Sequence, residues 1–300
     1  MKKIDIHVHT IRGEGINFYQ PDKTMPGKTI ATPEEVIEIY KKLGIEKGVI
    51  MPLVNVEFGN RIQGNEDAMD IVKNYPDSFY WFCNIDPRMG LNSTKTDLSY
   101  FLEYYKDRGA TGVGEVATNL YFDDPYMENL FYHCQKTRMP LLFHLGTRVG
   151  ESYGIVDDVG LPHLEKELAK FPNLALIGHS PAFWCNLSAD MTAERWVEWY
   201  YPTGKVTPGR IVELMHKYPN LYGDISACSG HTAMLRDPEF SYDFLEEFQD
   251  QILFGTDISN RDFNLGTSFW LDDAVKNGKI SEKAYQKISR DNALRLFEGK

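Results

Sequence analysis

Short apolar runs recur along the whole chain with helix-patterned stretches between them, and this alternation limits the possible folds more than any other feature. The runs lie at 3–9, 47–53, 79–85, 112–116, 140–145, 174–179, 221–226 and 252–256. Their starts are roughly 30 to 45 residues apart, which suits a strand, a crossover helix and two loops. Near-continuous apolar runs are what a parallel sheet covered by helices requires. Such a β/α series can close as a barrel or lie open as a doubly wound sheet. No glycine-rich phosphate turn follows the first run, so the sequence predicts an α/β fold of the closed (β/α)8 type, a TIM barrel. At 300 residues with 42% hydrophobic content the chain can bury one such core, and a single domain over 1–300 is expected.

Helix starts are marked by capping chemistry. Thr32, Asp124 and Thr207 can accept from orphan backbone N–H groups, while Pro33, Pro125 and Pro208 occupy first helical positions, where a missing N–H does no harm. Thr32 with Glu35 also has capping-box spacing. Two stretches, 10–31 and 180–206, are too long for ordinary barrel loops. Both follow strand C-termini, the face on which barrels build their sites, and are expected to shape or cover a pocket.

Charge and cysteine usage narrow the function class. The formal net charge is -11, which gives no basic surface for nucleic acid. The start MKKIDIHVHT has no apolar leader, and no run approaches the roughly 20 residues that span a bilayer, so a cytoplasmic protein without membrane partners is expected. Cys83, Cys134, Cys185 and Cys228 are widely spaced and read as reduced thiols in core positions.

His7 and His9, two residues apart on a strand, project to one face near its end. Paired imidazoles suit a divalent metal, and zinc takes nitrogen and carboxylate ligands. His144 ends the fifth run, His179 the sixth, and Asp257 follows the eighth. Each alone has a bland explanation as a core residue or helix cap, but together they occupy one rim of one barrel. Glu115 ends the fourth strand, as either a bridging ligand or an acceptor that fixes a ligand imidazole. Asp224 and Ser226 end the seventh strand, where they could orient a ligand histidine or the substrate, or cap the next helix. Arg12 and Arg148 follow strands one and five, where each is either a solvated loop arginine, the commoner case, or a guanidinium that holds a substrate carboxylate. The segment from Phe183 to Tyr201 carries Phe183, Trp184, Trp196, Trp199, Tyr200 and Tyr201. That density suits an aromatic wall over an organic substrate, an interface in a homo-oligomer, or a satellite core. His133, His163 and His216 read as structural, and His231 is the remaining histidine within reach of a pocket.

The motifs IDIHVHT, FHLG, IGHS, LYGDIS and FGTD, in that order, together with the closing DNALRLF, resemble the amidohydrolase superfamily in its amidohydrolase-2 branch. Glu115 resembles the bridging glutamate of TatD-like members. The resemblance spans His7 to Phe297 and implies a TIM barrel with one or two divalent ions, zinc foremost. By matching position, it implies ligand roles for His7, His9, His144 and Asp257, with Asp257 also carrying protons. His179 would be a ligand of a second metal or a hydrogen-bond donor to the substrate.

That branch holds both hydrolases and nonoxidative decarboxylases of aromatic or ring-derived acids. The leading expectation is hydrolysis of an amide, lactone or ester bond in a small organic substrate. Decarboxylation of a cyclic or aromatic acid is the alternative, with Glu115 counting against it. A noncatalytic binding barrel is a third reading, which has no need of the ligand-type residues.

Overall fold

The structure is a computed structural model that describes residues 2–12, 30–58, 63–151, 153–197, 202–262 and 266–298. Nine strands are present among them: β1 (Lys3–Val8), β2 (Ile45–Ile50), β3 (Phe79–Trp81), β4 (Val113–Val116), β5 (Leu141–Gly146), β6 (Ile155–Val156), β7 (Leu176–His179), β8 (Leu221–Asp224) and β9 (Ile252–Leu253). Every expected run forms a strand, and β6 is an addition that pairs with β5 and bridges Tyr121 on its other side. All ladders are parallel, in the orders β1-β2-β3 and β4-β5-β7-β8-β9.

Backbone hydrogen bonds join these two sheets into a ring. Cys83 N donates to Gly112 O at 2.9 Å and Gly114 N to Cys83 O at 2.8 Å, linking β3 to β4. Ile6 N donates to Phe254 O at 3.0 Å and Asp257 N to His7 O at 2.8 Å, linking β9 back to β1. The fold is a (β/α)8 barrel, as expected.

Inside the ring Ile4, Ile6, Val49, Met51, Phe82, Leu142, Ile177 and Leu253 form one cluster, closed at the bottom by Ala293 and Leu296 of the last helix. The opposite strand faces, with Val8, Ile50, Phe143, Leu145, Leu176 and Phe254, pack against the helices. This division exposes a local irregularity that matters for function. Asp5 pairs with Gly48 and Val8 with Ile50, so β1 carries one extra residue against β2. The bulge breaks simple alternation: Ile4 and Ile6 face inward, yet His7 also turns inward while Val8 packs outward. A second bulge lies in β4, where Val113 and Val116 oppose Leu141 and Phe143, and it carries Glu115. Gly114 is required there, because a Cβ would stand 2.9 Å from Leu142 O.

Thr32 and Glu35 form the expected capping box on Pro33–Leu43, and Asp124 caps Pro125–Thr137. Thr207 departs from expectation. Residues 207 and 208 pair with Ser188 and Ala189, and helix Arg210–Lys217 starts after Gly209 instead. Cys83, Cys134 and Cys185 are buried as free thiols, whereas Cys228 is exposed. Most of 10–31, and Trp199, Tyr200 and Tyr201, lie outside the described residues. No described helix is long and apolar enough to cross a membrane.

The β9–β1 seam is stitched by Asp5, a fully buried carboxylate. It accepts from His7 N (3.1 Å), Thr256 N (2.8 Å), Thr256 Oγ1 (2.6 Å) and Tyr40 Oη (2.7 Å). Asp5→Ala strands all these donors, and urea unfolding should show a loss of about 3 to 5 kcal/mol. A loss below about 1 kcal/mol would mean that the seam does not depend on this carboxylate.

Candidate metal centre

Six side chains from six strand ends converge at the C-terminal mouth of the barrel: His7, Glu115, His144, His179, Asp224 and Asp257, with His9 beside His7. His7, His9, Glu115, His144, His179 and Asp224 are buried, while the Asp257 side chain keeps 22% of its surface exposed, which makes it the member that faces the opening. Three non-glycine residues directly past these strand ends have left-handed backbone: Ser180 (φ 117°), Ala227 (φ 58°) and Asp257 (φ 55°). Such conformations concentrate at functional sites, where surrounding packing holds them.

Contacts on the far side of the His7, His9 and His179 rings fix which nitrogen faces the centre. His9 Nδ1 lies 2.9 Å from Met51 O, a pure acceptor, so Nδ1 carries the proton and Nε2 presents a lone pair. His7 Nδ1 faces Asp224 Oδ2 at 2.8 Å and His179 Nδ1 faces the same oxygen at 3.1 Å, with the same consequence. The lone pairs of His7 Nε2 and His9 Nε2 then stand 3.1 Å apart. Two lone pairs do not hold each other at that distance without a proton or a cation between them.

Around this pair, Glu115 Oε2 lies 3.6 Å from His7 Nε2 and 3.4 Å from His9 Nε2, and Asp257 Oδ1 lies 3.6 and 3.3 Å from the same atoms. Ligands about 2.1 Å from a tetrahedral ion are spaced roughly 3.4 Å apart, so this donor set fits a divalent cation. The other Glu115 oxygen, Oε1, is 2.7 Å from His144 Nδ1 and 3.9 Å from His179 Nε2. His7, His9 and Asp257 thus form one group able to hold an ion, and Glu115, His144 and His179 a second. A third, His7 with His179 and Asp224, has its space taken by the Ser226 hydroxyl, which donates to Asp224 Oδ2 at 2.6 Å.

The electrostatics point the same way. Burial raises the Glu115 carboxyl, but His144, His7 and His9 outweigh it and hold the group well below the ordinary range. Burial likewise opposes ionisation of Asp257, yet His7, His9 and His179 keep its pKa near 2. Burial disfavours charge on His7, but Asp257, Asp224 and Glu115 prevail and keep its pKa well above normal. The cluster holds fixed anions and draws in positive charge, as a proton or as a metal.

The remaining sequence candidates lie elsewhere. Arg12 pairs with Asp70 and Arg148 with Glu151, both at the surface. Trp184 is buried against Phe183 and Phe244, and its indole N–H donates to Asp224 O at 2.8 Å, a supporting place rather than a substrate wall. Trp196 is likewise buried, its indole reaching Asp157 O at 3.3 Å. His231 bonds Thr267.

Ser226 caps no helix N–H and serves Asp224 and His179 instead. Asn84 was not anticipated. Its amide donates to Pro52 O at 2.7 Å and Glu115 O at 2.6 Å, tying the ends of β2 and β4 together. A polar residue inside the apolar run 79–85 was the available signal. Tyr153, whose ring lies 4.4 Å from that of His144, gave none.

The amidohydrolase family profile matches residues 4–299. No curated protein matches the chain. An uncharacterised TIM-barrel protein from Bordetella bronchiseptica shares the fold at 21% identity and TM-score 0.70, covering 100% of this chain and 99% of that one. A dihydroxybenzoic acid decarboxylase from Polaromonas, crystallised with manganese and the inhibitor 2-nitroresorcinol, is 19% identical with TM-score 0.58, covering 99% and 97%. A probable 2-pyrone-4,6-dicarboxylic acid hydrolase from Acinetobacter baumannii, with citric acid bound, is 14% identical with TM-score 0.53, covering 96% and 99%. At these identities the likeness concerns the fold.

Chelation should expose the uncompensated anions and lower Tm. Zinc or manganese returned at about a hundred times its dissociation constant should restore roughly 2.7 kcal/mol, a shift of several degrees. A Tm unmoved by stripping and reloading, with metal content followed by elemental analysis, would contradict a metal role for this cluster.

Proposed function

The chain belongs to the amidohydrolase family, and we propose that it is a metal-dependent hydrolase cleaving an amide, lactone or ester bond of a small organic substrate. The observation that carries this reading is the division of the Glu115 carboxylate, with Oε2 against His7 and His9 and Oε1 against His144 and His179. A carboxylate so placed can serve two adjacent cations. His7, His9 and Asp257 would hold one ion, zinc foremost, and His144 and His179 the other. Bound there, the metal would supply Lewis acidity toward a carbonyl oxygen and make water acidic enough to react near neutral pH.

The chain's own groups do the rest. Asp257 is ionised and is the most open member of the cluster, so it can accept a proton from the attacking water and return it to the leaving nitrogen or oxygen. His179, with its Nδ1–H facing Ser226 Oγ at 3.0 Å and Asp224 Oδ2 at 3.1 Å, presents a lone pair at Nε2 when neutral. That suits a ligand better than a donor to a substrate carbonyl. Among the described residues, arginines that follow strand ends are matched by the chain's own carboxylates: Arg12 by Asp70, Arg88 by Asp86 and Glu57, Arg148 by Glu151. This favours an uncharged scissile group over an acid held by a guanidinium.

A single-metal decarboxylase is the second reading. It draws on the 2.7 Å between Glu115 Oε1 and His144 Nδ1, a hydrogen-bond length that would make Glu115 a support for one ligand. Two substrate panels separate the readings, one of lactones, esters and amides, the other of aromatic acids followed by carbon dioxide release. Turnover is expected in the first, and turnover confined to the second would reverse the assignment. Asp257→Asn should lower turnover about 10²- to 10⁴-fold while the barrel stays folded, since the amide cannot accept and return a proton. Activity within a few-fold of wild type would place the base elsewhere.

A further inference from the structure

Asp224 ends β8 fully buried, and its Oδ2 accepts from His7 Nδ1 at 2.8 Å and from the Ser226 hydroxyl at 2.6 Å; His179 Nδ1 stands 3.1 Å from the same oxygen and 3.0 Å from the Ser226 Oγ that is bonded to it. His7 belongs to one ligand group and His179 to the other. One oxygen therefore orients an imidazole of each. The two rings also meet edge to face with centroids 4.5 Å apart, so neither turns without disturbing the other.

The carboxylate is itself held from several sides. Ser226 N donates to Oδ1 at 3.0 Å, and the Trp184 indole holds the backbone carbonyl at 2.8 Å. Gly255, in FGTD, leaves the space that the carboxylate fills, because a Cβ there would stand 2.4 Å from Oδ1. A carboxylate behind a metal ligand ordinarily orients one imidazole; this one stands against two, from different candidate ligand groups.

Resting on the two-cation reading above, we propose that Asp224 is a positioning residue that couples the two metal positions. An ion that fixes His7 fixes the Asp224 carboxylate, which in turn fixes His179. The ordering cost met on binding the first ion is then absent for the second, which is positive cooperativity carried by conformational entropy.

Cobalt(II) is the probe, titrated into metal-free protein and followed by visible absorption and by bound metal after desalting. Wild type should take up two equivalents in one steep transition. Asp224→Asn removes the negative charge and sets an N–H either against both imidazoles or against Ser226 N, so the shared acceptor is lost or weakened for His7 and His179 together. Both equivalents should weaken about 10- to 100-fold and bind in separate steps. Gly255→Ala keeps every ligand and the charge of Asp224 but crowds Oδ1, and it should shift the titration the same way; it carries the test if Asp224→Asn does not fold. Circular dichroism and unfolding midpoints of the metal-free variants establish that they fold. Independent binding of two equivalents by wild type, or weakening of only one in both Asp224→Asn and Gly255→Ala, overturns the coupling and leaves the two-cation reading standing. A wild type that binds a single equivalent overturns both.

Discussion

Glu115, Asp224 and Asp257 bring three carboxylates into one space lined by four imidazoles, and solvent reaches it chiefly at Asp257. Taking a carboxylate out of water costs several kcal/mol unless an opposite charge and hydrogen bonds compensate. Here the compensation comes from histidines that burial would otherwise leave neutral, with His7 pressed toward its charged form by the anions around it. A divalent cation held by His7, His9 and Asp257 would meet the same demand, accepting the two lone pairs that otherwise oppose each other across 3.1 Å. The arrangement is costly without positive charge and well satisfied with it, which is why the cluster reads as a metal centre and not as a buried polar network.

The barrel serves this demand in two ways. Its parallel strands deliver all their C-terminal ends to one rim, so residues far apart in sequence meet without a long loop having to carry any of them. Its irregularities then aim the side chains. The extra residue in β1 turns His7 inward after Ile4 and Ile6 have already taken inward places, and the bulge in β4 does the same for Glu115. Behind three of the rings, Met51 O and Asp224 set the tautomers, so His7, His9 and His179 offer Nε2 without needing to reorganise. The Asp5 seam aligns β1 with the end of β9 and thereby brings His7 and Asp257 together.

Much of this was legible in the sequence, for identifiable reasons. Strand runs at barrel spacing, and histidines or acids at their ends, are read directly from order and periodicity, and they mark His7, His9, Glu115, His144, His179 and Asp257, which the fold brings together. Features that depend on a residue's neighbours in space were not legible. Nothing local marks the bulge at Asp5 to Val8, Met51 enters through its carbonyl alone, and Tyr153 reaches His144 only because β6 folds back onto β5. Trp184 and Thr207 misled in opposite directions. An aromatic after a strand end looked like a substrate wall but fills the core, and a Thr-Pro pair that looked like a helix cap was drawn into pairing with Ser188 and Ala189. Arginines after strand ends could be substrate anchors by sequence, but Arg12 pairs with Asp70, far along the chain, and Arg148 with Glu151, three residues on.

The central claim is that Glu115 stands between two cations, and anomalous X-ray diffraction at the zinc or manganese edge tests it most directly. Crystals of metal-replete protein should show two anomalous peaks about 3.5 to 4 Å apart, one against each Glu115 oxygen. A single peak among His7, His9, His144 and Asp257, with Glu115 bonded only to the His144 ring, would contradict the claim.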